Sequence, residues 1–301
     1  MRIQGLVKAG SPILGMVFLL LACSSDTVFN IVDGEWVSDI PFVIGHVDQE
    51  IAHDNRIFES DHFLVFSDAS GDRVKKRFAS YAEQALEELM DDFGIRRAAD
   101  LGIVDQGSKL TLYTNKATAL AQMAFPYGFI LWGEDSDNFA RWPKEMQDRF
   151  HREIKHETTH VLQFLFGVLP NKNNDLEPDK WFNEGLAEYA SGGFFIPIKT
   201  KASMTIWKSN HRAVVPVAIH QWSDLPISSD EVGDYYPMFG LAVRYLLSKK
   251  GMGRSLKDVK AMFLDMAQNS RPFSDAFQLH MGLSLADYEA TFWQRMESFW
   301  G

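Results

Sequence analysis

The stretch Pro143–Gly167, PKEMQDRFHREIKHETTHVLQFLFG, and the shorter Trp181–Tyr189, WFNEGLAEY, decide how this chain is read. In the first, Met146, Phe150, Ile154, Val161, Leu162 and Leu165 recur at helical spacing, and Gly167 is a residue type that stops helices. That pattern predicts one long helix carrying His156-Glu157-Thr158-Thr159-His160 in its second half. After a polar connector, Pro170 to Asp179, a second helix is expected over Trp181–Ala190.

Residues four apart share a helix face, so His156 and His160 can turn both imidazoles toward one cation while Glu157 lies beside them. Zinc takes imidazole nitrogen and carboxylate oxygen in a tetrahedral set, and a catalytic site needs three protein ligands with a fourth position open. Glu184 stands 24 positions after His160 on a helix that a short connector can fold back, which makes it the expected third ligand. Glu188, one turn further, can accept a hydrogen bond from the far nitrogen of a ligand histidine; the plain alternative is an exposed helix acid. The other seven histidines, at 46, 53, 62, 151, 211, 220 and 280, have no ligand-like spacing and read as ordinary core or surface residues. Trp132, Trp142, Trp181, Trp207 and Trp222 read as core or cleft lining.

His62–Phe66 reads as a buried strand. Val74, Phe78, Ala82, Ala85 and Leu89 form a helical stripe ending at Gly94. Lys109–Tyr113 alternates as a strand, and Gly128–Trp132 is a short apolar run closed by Gly133. Beyond Tyr189, helices are expected at Met238–Ser248, Ser255–Ala267 and Ser284–Phe299, the last opened by the capping pair Ser284 and Asp287. The fold class is therefore α+β, a mixed α/β lobe followed by a mainly helical one.

The formal charge of −10 leaves no basic stripe for phosphates, which argues against a nucleic-acid partner. At the N-terminus Arg2 and Lys8 precede an apolar run, Ile13–Ala22, too short to span a bilayer comfortably. Leu20-Leu21-Ala22-Cys23 resembles the lipobox of bacterial lipoproteins, and Cys23 is the only cysteine in the chain. The resemblance implies a signal peptide over 1–22, lipidation of Cys23 and attachment to the membrane through that lipid. An ordinary secretory signal with an incidental cysteine is the alternative, and either reading exports the chain. Ser24 stands where an inner-membrane retention Asp is common, so the resemblance implies the outer membrane, facing the periplasm. With one cysteine, no internal disulfide contributes.

HETTH and WFNEGLAEY, in this order and spacing, resemble the gluzincin zinc metallopeptidases, and more narrowly the peptidase MA-like domains of bacterial envelope proteins. The resemblance covers about residues 60–300 and implies a zincin-like fold. The expected layout is a tether and N-terminal extension over 23–57, an α/β lobe ending in the zinc-binding helix over 58–170, and a helical lobe with the third ligand over 171–301. It further implies an edge strand that binds the peptide backbone, matched by Gly128, Phe129, Ile130, Leu131 and Trp132. It also implies a tyrosine ahead of a helix that faces the substrate carbonyl, matched by Tyr236, with neighbouring Tyr235 left open. Val161–Phe166 carries no Gly and no third His, which sets the metzincins aside. No Gly-x-Met-Glu-Asn segment precedes HETTH, so the resemblance implies an endopeptidase rather than an aminopeptidase. Glu153 stands where such motifs usually carry an apolar residue or Thr.

The expected activity is zinc-dependent hydrolysis of a peptide or protein in the cell envelope. Glu157 takes a proton from water and passes it to the leaving amine, while Tyr236 donates to the developing oxyanion. The alternative is a non-catalytic lipoprotein that binds zinc or peptide in an assembly role.

Overall fold

The computed structural model describes residues 29–32, 35–38, 57–67, 72–101, 109–115, 123–125, 128–132, 141–168, 178–193 and 232–300. The expected signal peptide over 1–22, Cys23, Trp207, Trp222, residues 169–177 and the histidines at 46, 53, 211 and 220 lie outside these residues.

Alternation builds the sheet. Phe63, Val65, Leu110 and Leu112 are fully buried, while Leu64 and Thr111 between them are partly exposed, so one face of β4 (Phe63–Ser67) and β5 (Leu110–Asn115) turns inward. These strands run parallel, joined through α1 (Asp72–Phe93), which packs on β4 and on β3 (Ile57–Glu59). A separate hairpin joins β1 (Phe29–Val32) and β2 (Glu35–Ser38). Beyond β5 come β7 (Gly128–Trp132), parallel to it, and β6 (Met123–Phe125), antiparallel to β7. The five-stranded order is β3-β4-β5-β7-β6.

This order corrects one expectation. Gly128–Trp132 is not an edge strand: β5 lies on one side of it, and Phe125, Ala124 and Met123 pair with Gly128, Phe129 and Ile130 on the other. The short Met123–Phe125 return forms the edge instead, and a strand of three residues carries too little alternation to be read from sequence.

The long helix is α2 (Lys144–Leu165), packed against α1, β6 and β7. Then follow α3 (Lys180–Ser191), α4 (Val232–Leu247), α5 (Leu256–Asn269), α6 (Phe273–Met281) and α7 (Leu285–Trp300). The expected cap of α7 is present, with Ser284 Oγ accepting from the Asp287 N–H at 3.1 Å. Ser255 and Asp258 form the reciprocal capping box of α5. Helix α4 begins at Val232, earlier than the expected Met238, and runs through Pro237. A proline inside a helix removes one hydrogen bond and reads locally as a break. Burial of Tyr236, Met238 and Phe239 in the core outweighs that loss.

One hydrophobic cluster runs through the sheet, α1, α2 and the C-terminal helices. Phe166, just past α2, bridges the two segments: its ring centroid is 5.5 Å from that of Phe93 and 6.3 Å from that of Phe263. Helices α3 and α4 meet at Gly185, where a Cβ would stand 2.4 Å from the Phe239 carbonyl oxygen. Among the described residues no helix is long and apolar enough to cross a membrane.

Candidate metal centre

Helix α2 buries a polar stretch at its middle. Thr158 and Thr159 return their hydroxyls to the carbonyls of Ile154 and Lys155 at 2.7 and 2.8 Å, so both satisfy their donors within the helix. That leaves His156, Glu157 and His160 as the groups whose chemistry the helix does not absorb.

Helix α3 lies antiparallel beside α2, as four contacts in sequence demonstrate. Gln163 Nε2 donates to the Asn183 carbonyl at 3.1 Å. Glu184 Oε2 stands 3.3 Å from His160 Nε2 and 3.6 Å from His156 Nε2. Glu188 Oε1 stands 3.2 Å from His156 Nδ1. Pairing thus moves up one helix as it moves down the other. The two imidazole Nε2 atoms are 3.2 Å apart, and one ligand atom from each of His156, His160 and Glu184 falls within 4.8 Å of the others.

These three residues form a buried group that can hold a metal ion. The donor chemistry fits: Glu184 Oε2 is sealed from solvent without an aligned hydrogen bond, though both imidazoles are near, and a buried carboxylate oxygen in that state calls for a cation. Electrostatics agree. Burial works to raise the Glu184 pKa, but the His160 charge and the two imidazoles overcome it and hold the carboxyl at about 2. Burial pushes His160 down, yet Glu184 more than compensates, so its pKa is raised. Two imidazoles and a carboxylate suit several transition metals.

Glu157 is 0% exposed, on the same helix beside the ligand pair. Glu153, one turn before it, is buried as well, and burial pushes its carboxyl up to about 8, with Arg149 opposing and Glu157 adding to the rise. Glu188 is fully buried rather than an exposed helix acid. Tyr236 lies inside α4 rather than ahead of a helix, 2% exposed, with its ring 5.8 Å from that of Phe239. Tyr235 is half-buried against the same phenylalanine at 6.3 Å. Nothing in the spacing of HETTH singled out Gln163, whose Oε1 is 2.8 Å from His160 Nδ1. Its position three residues after His160 on the same face was the available signal.

His62, His151 and His280, read as ordinary, lie away from this group. Nδ1 of His62 meets Glu83 at 2.7 Å, the His151 ring packs on Tyr81, and Nε2 of His280 meets Asp265 at 3.1 Å.

No protein-family model matches the chain, and a search of curated proteins finds no match either.

Proposed function

We propose that the chain is a zinc-dependent peptidase of the gluzincin type, with a zincin-like fold, held in the bacterial envelope by lipid on Cys23. The observation that carries this reading is the convergence of His156, His160 and Glu184 from two antiparallel helices. A zinc ion bound there would supply the positive charge that acidifies a water and polarises a scissile carbonyl. Glu157 receives the proton of the attacking water and delivers it to the leaving amine. Glu188 orients His156, and Tyr236 of α4 donates to the oxyanion. A substrate strand would add to the β6 side of the sheet next to α2, lying along Met123–Phe125 and on toward Trp132. Lipid attachment would leave the chain on the outer membrane, facing periplasmic peptides.

The test is elemental analysis of the full chain purified in detergent, beside His156→Ala and Glu184→Ala, together with a peptide-cleavage assay. The expected result is close to one zinc per chain, lost in both variants, with cleavage that a chelator abolishes. Glu157→Gln should keep zinc and lose cleavage; a Glu157→Gln protein that cleaves like wild type removes the mechanism. A second reading, a non-catalytic zinc- or peptide-binding lipoprotein, is favoured by one observation: Glu157 has no solvent exposure, so water must be admitted before it can act. Zinc uptake without chelator-sensitive cleavage selects that reading.

A further inference from the structure

The amide of Gln163 touches both metal-bearing helices. Gln163 is itself buried on α2, 5% exposed, so its partners are protein groups rather than solvent. On one side its Nε2 donates to the main-chain carbonyl of Asn183 at 3.1 Å. On the other its Oε1 stands 2.8 Å from Nδ1 of His160.

These two contacts determine where a proton sits. A backbone carbonyl can only accept, so the end of the amide facing Asn183 must be the NH2 group. The end facing His160 is then the carbonyl oxygen, which also only accepts. Nδ1 of His160 must therefore carry the hydrogen. In a neutral imidazole that leaves the lone pair on Nε2, the atom turned toward Glu184 Oε2 and His156 Nε2. For His156 a buried carboxylate faces the corresponding atom, Glu188 Oε1 standing 3.2 Å from Nδ1. The Nδ1 atoms of the two histidines thus face different acceptors, a buried carboxylate for one and a neutral amide for the other.

The second contact adds registry. Asn183 immediately precedes Glu184, and its side chain is engaged elsewhere, donating to the Pro178 carbonyl at 3.0 Å. Its main-chain carbonyl, inside α3, accepts from Gln163 Nε2. One side chain on α2 thereby touches the ring of His160 on its own helix and the backbone beside Glu184 on the other.

We propose that Gln163 is a positioning residue for the metal centre: donation of its Nε2 to Asn183 turns the amide oxygen to His160, and that oxygen holds the ring with Nε2 free. This rests on the metal-centre reading above, and the two can fail separately.

The experiment compares Gln163→Met, which loses both contacts, with Gln163→Glu, which keeps an acceptor for His160 and loses the donor to Asn183. Zinc affinity of the full chain is measured by competition with a chromophoric chelator. The His160 Nδ1 proton is followed by 1H–15N NMR in the zinc-loaded protein, and thermal unfolding is measured without metal. Gln163→Met is expected to bind zinc about 10–100-fold more weakly and to lose the slowly exchanging Nδ1 proton. Gln163→Glu is expected to stay within about threefold of wild type in affinity and to retain that proton, since the oxygen facing His160 is what the ligand needs. Equal affinity in all three proteins overturns the proposal and leaves the metal centre standing. Equal loss in both variants, tracking a common drop in unfolding temperature, also overturns it and reduces Gln163 to a clamp between helices. No zinc uptake by wild type overturns the metal centre, and the proposal with it.

Discussion

Glu188 Oε1 stands 3.2 Å from His156 Nδ1, and neither side chain is more than 1% exposed. In the proposed zinc site a carboxylate so placed would orient the imidazole with Nε2 toward the ion and raise its basicity as a ligand. Replacing Glu188 by Ala should weaken zinc binding about 10–100-fold, with Glu188→Gln less affected because it keeps an acceptor. Chelator competition measures both. Unchanged affinity in Glu188→Ala would make this carboxylate a bystander.

Gly185 follows Glu184 and lies against α4. A Cβ there would be 2.4 Å from the Phe239 carbonyl oxygen and 2.9 Å from a methyl of Val243, and the first of these atoms is backbone that cannot swing aside. Gly185→Ala should cost about 1–3 kcal/mol of stability through overpacking. Because separating α3 from α4 moves Glu184, zinc content should fall as well. Chemical unfolding and elemental analysis on the same sample test this, and a variant as stable as wild type would contradict the close helix contact.

Glu153 supplies a pH dependence in the metal-free protein. Its folded pKa of about 8 lies above the ordinary 4.5, so folding takes up a proton between those values. The sign follows: its effect on stability is most favourable below about pH 4.5 and deteriorates as pH rises toward 8. Glu153→Gln, which cannot ionise, should be more stable than wild type at pH 9 by on the order of a few kcal/mol, with little difference at pH 5. Urea unfolding at the two pH values checks it; parallel curves would show that Glu153 ionises freely in the fold.

Asp265 behaves in the opposite sense. Hydrogen bonds from Asn269 and Arg271, each 2.6 Å, and from His280 at 3.1 Å hold its carboxyl at about 2, below the usual 3.8. A depressed carboxyl contributes stability above its unfolded pKa and loses it as pH falls through the folded one. Asp265→Asn should therefore be less stable than wild type at pH 7, and the gap should close between about pH 4 and pH 2. Melting temperatures along that range test it, and a constant gap would assign the effect to geometry rather than charge.

Much of the site was legible because its chemistry is local. The four-residue step from His156 to His160 lies within one helix, and the apolar period that predicts α2 is independent of what packs on it. The same holds for the Ser284–Asp287 cap and for the stop at Gly94, whose φ of 65° suits glycine. Glu184 was reachable too, since a connector and a second apolar period bring a carboxylate back to the first helix. What misled was also local: Pro237 reads as a boundary, and Met123–Phe125 is too short to declare itself a strand.

By itself the sequence determined which side chains are offered together: two imidazoles on one helical face, an acid beside them, and a further acid on the next helix. Tertiary structure decided how they are held. The antiparallel fit of α3 on α2 turned Glu188 from a possible surface acid into a buried partner of His156, and gave Gln163 a carbonyl to bind. It made β7 an interior strand and enclosed Tyr236 within α4. The physical reason is range. Helix periodicity and capping act over three or four residues of one chain segment, whereas a hydrogen-bond partner on another element, or a strand's place in a sheet, exists only once distant segments have packed.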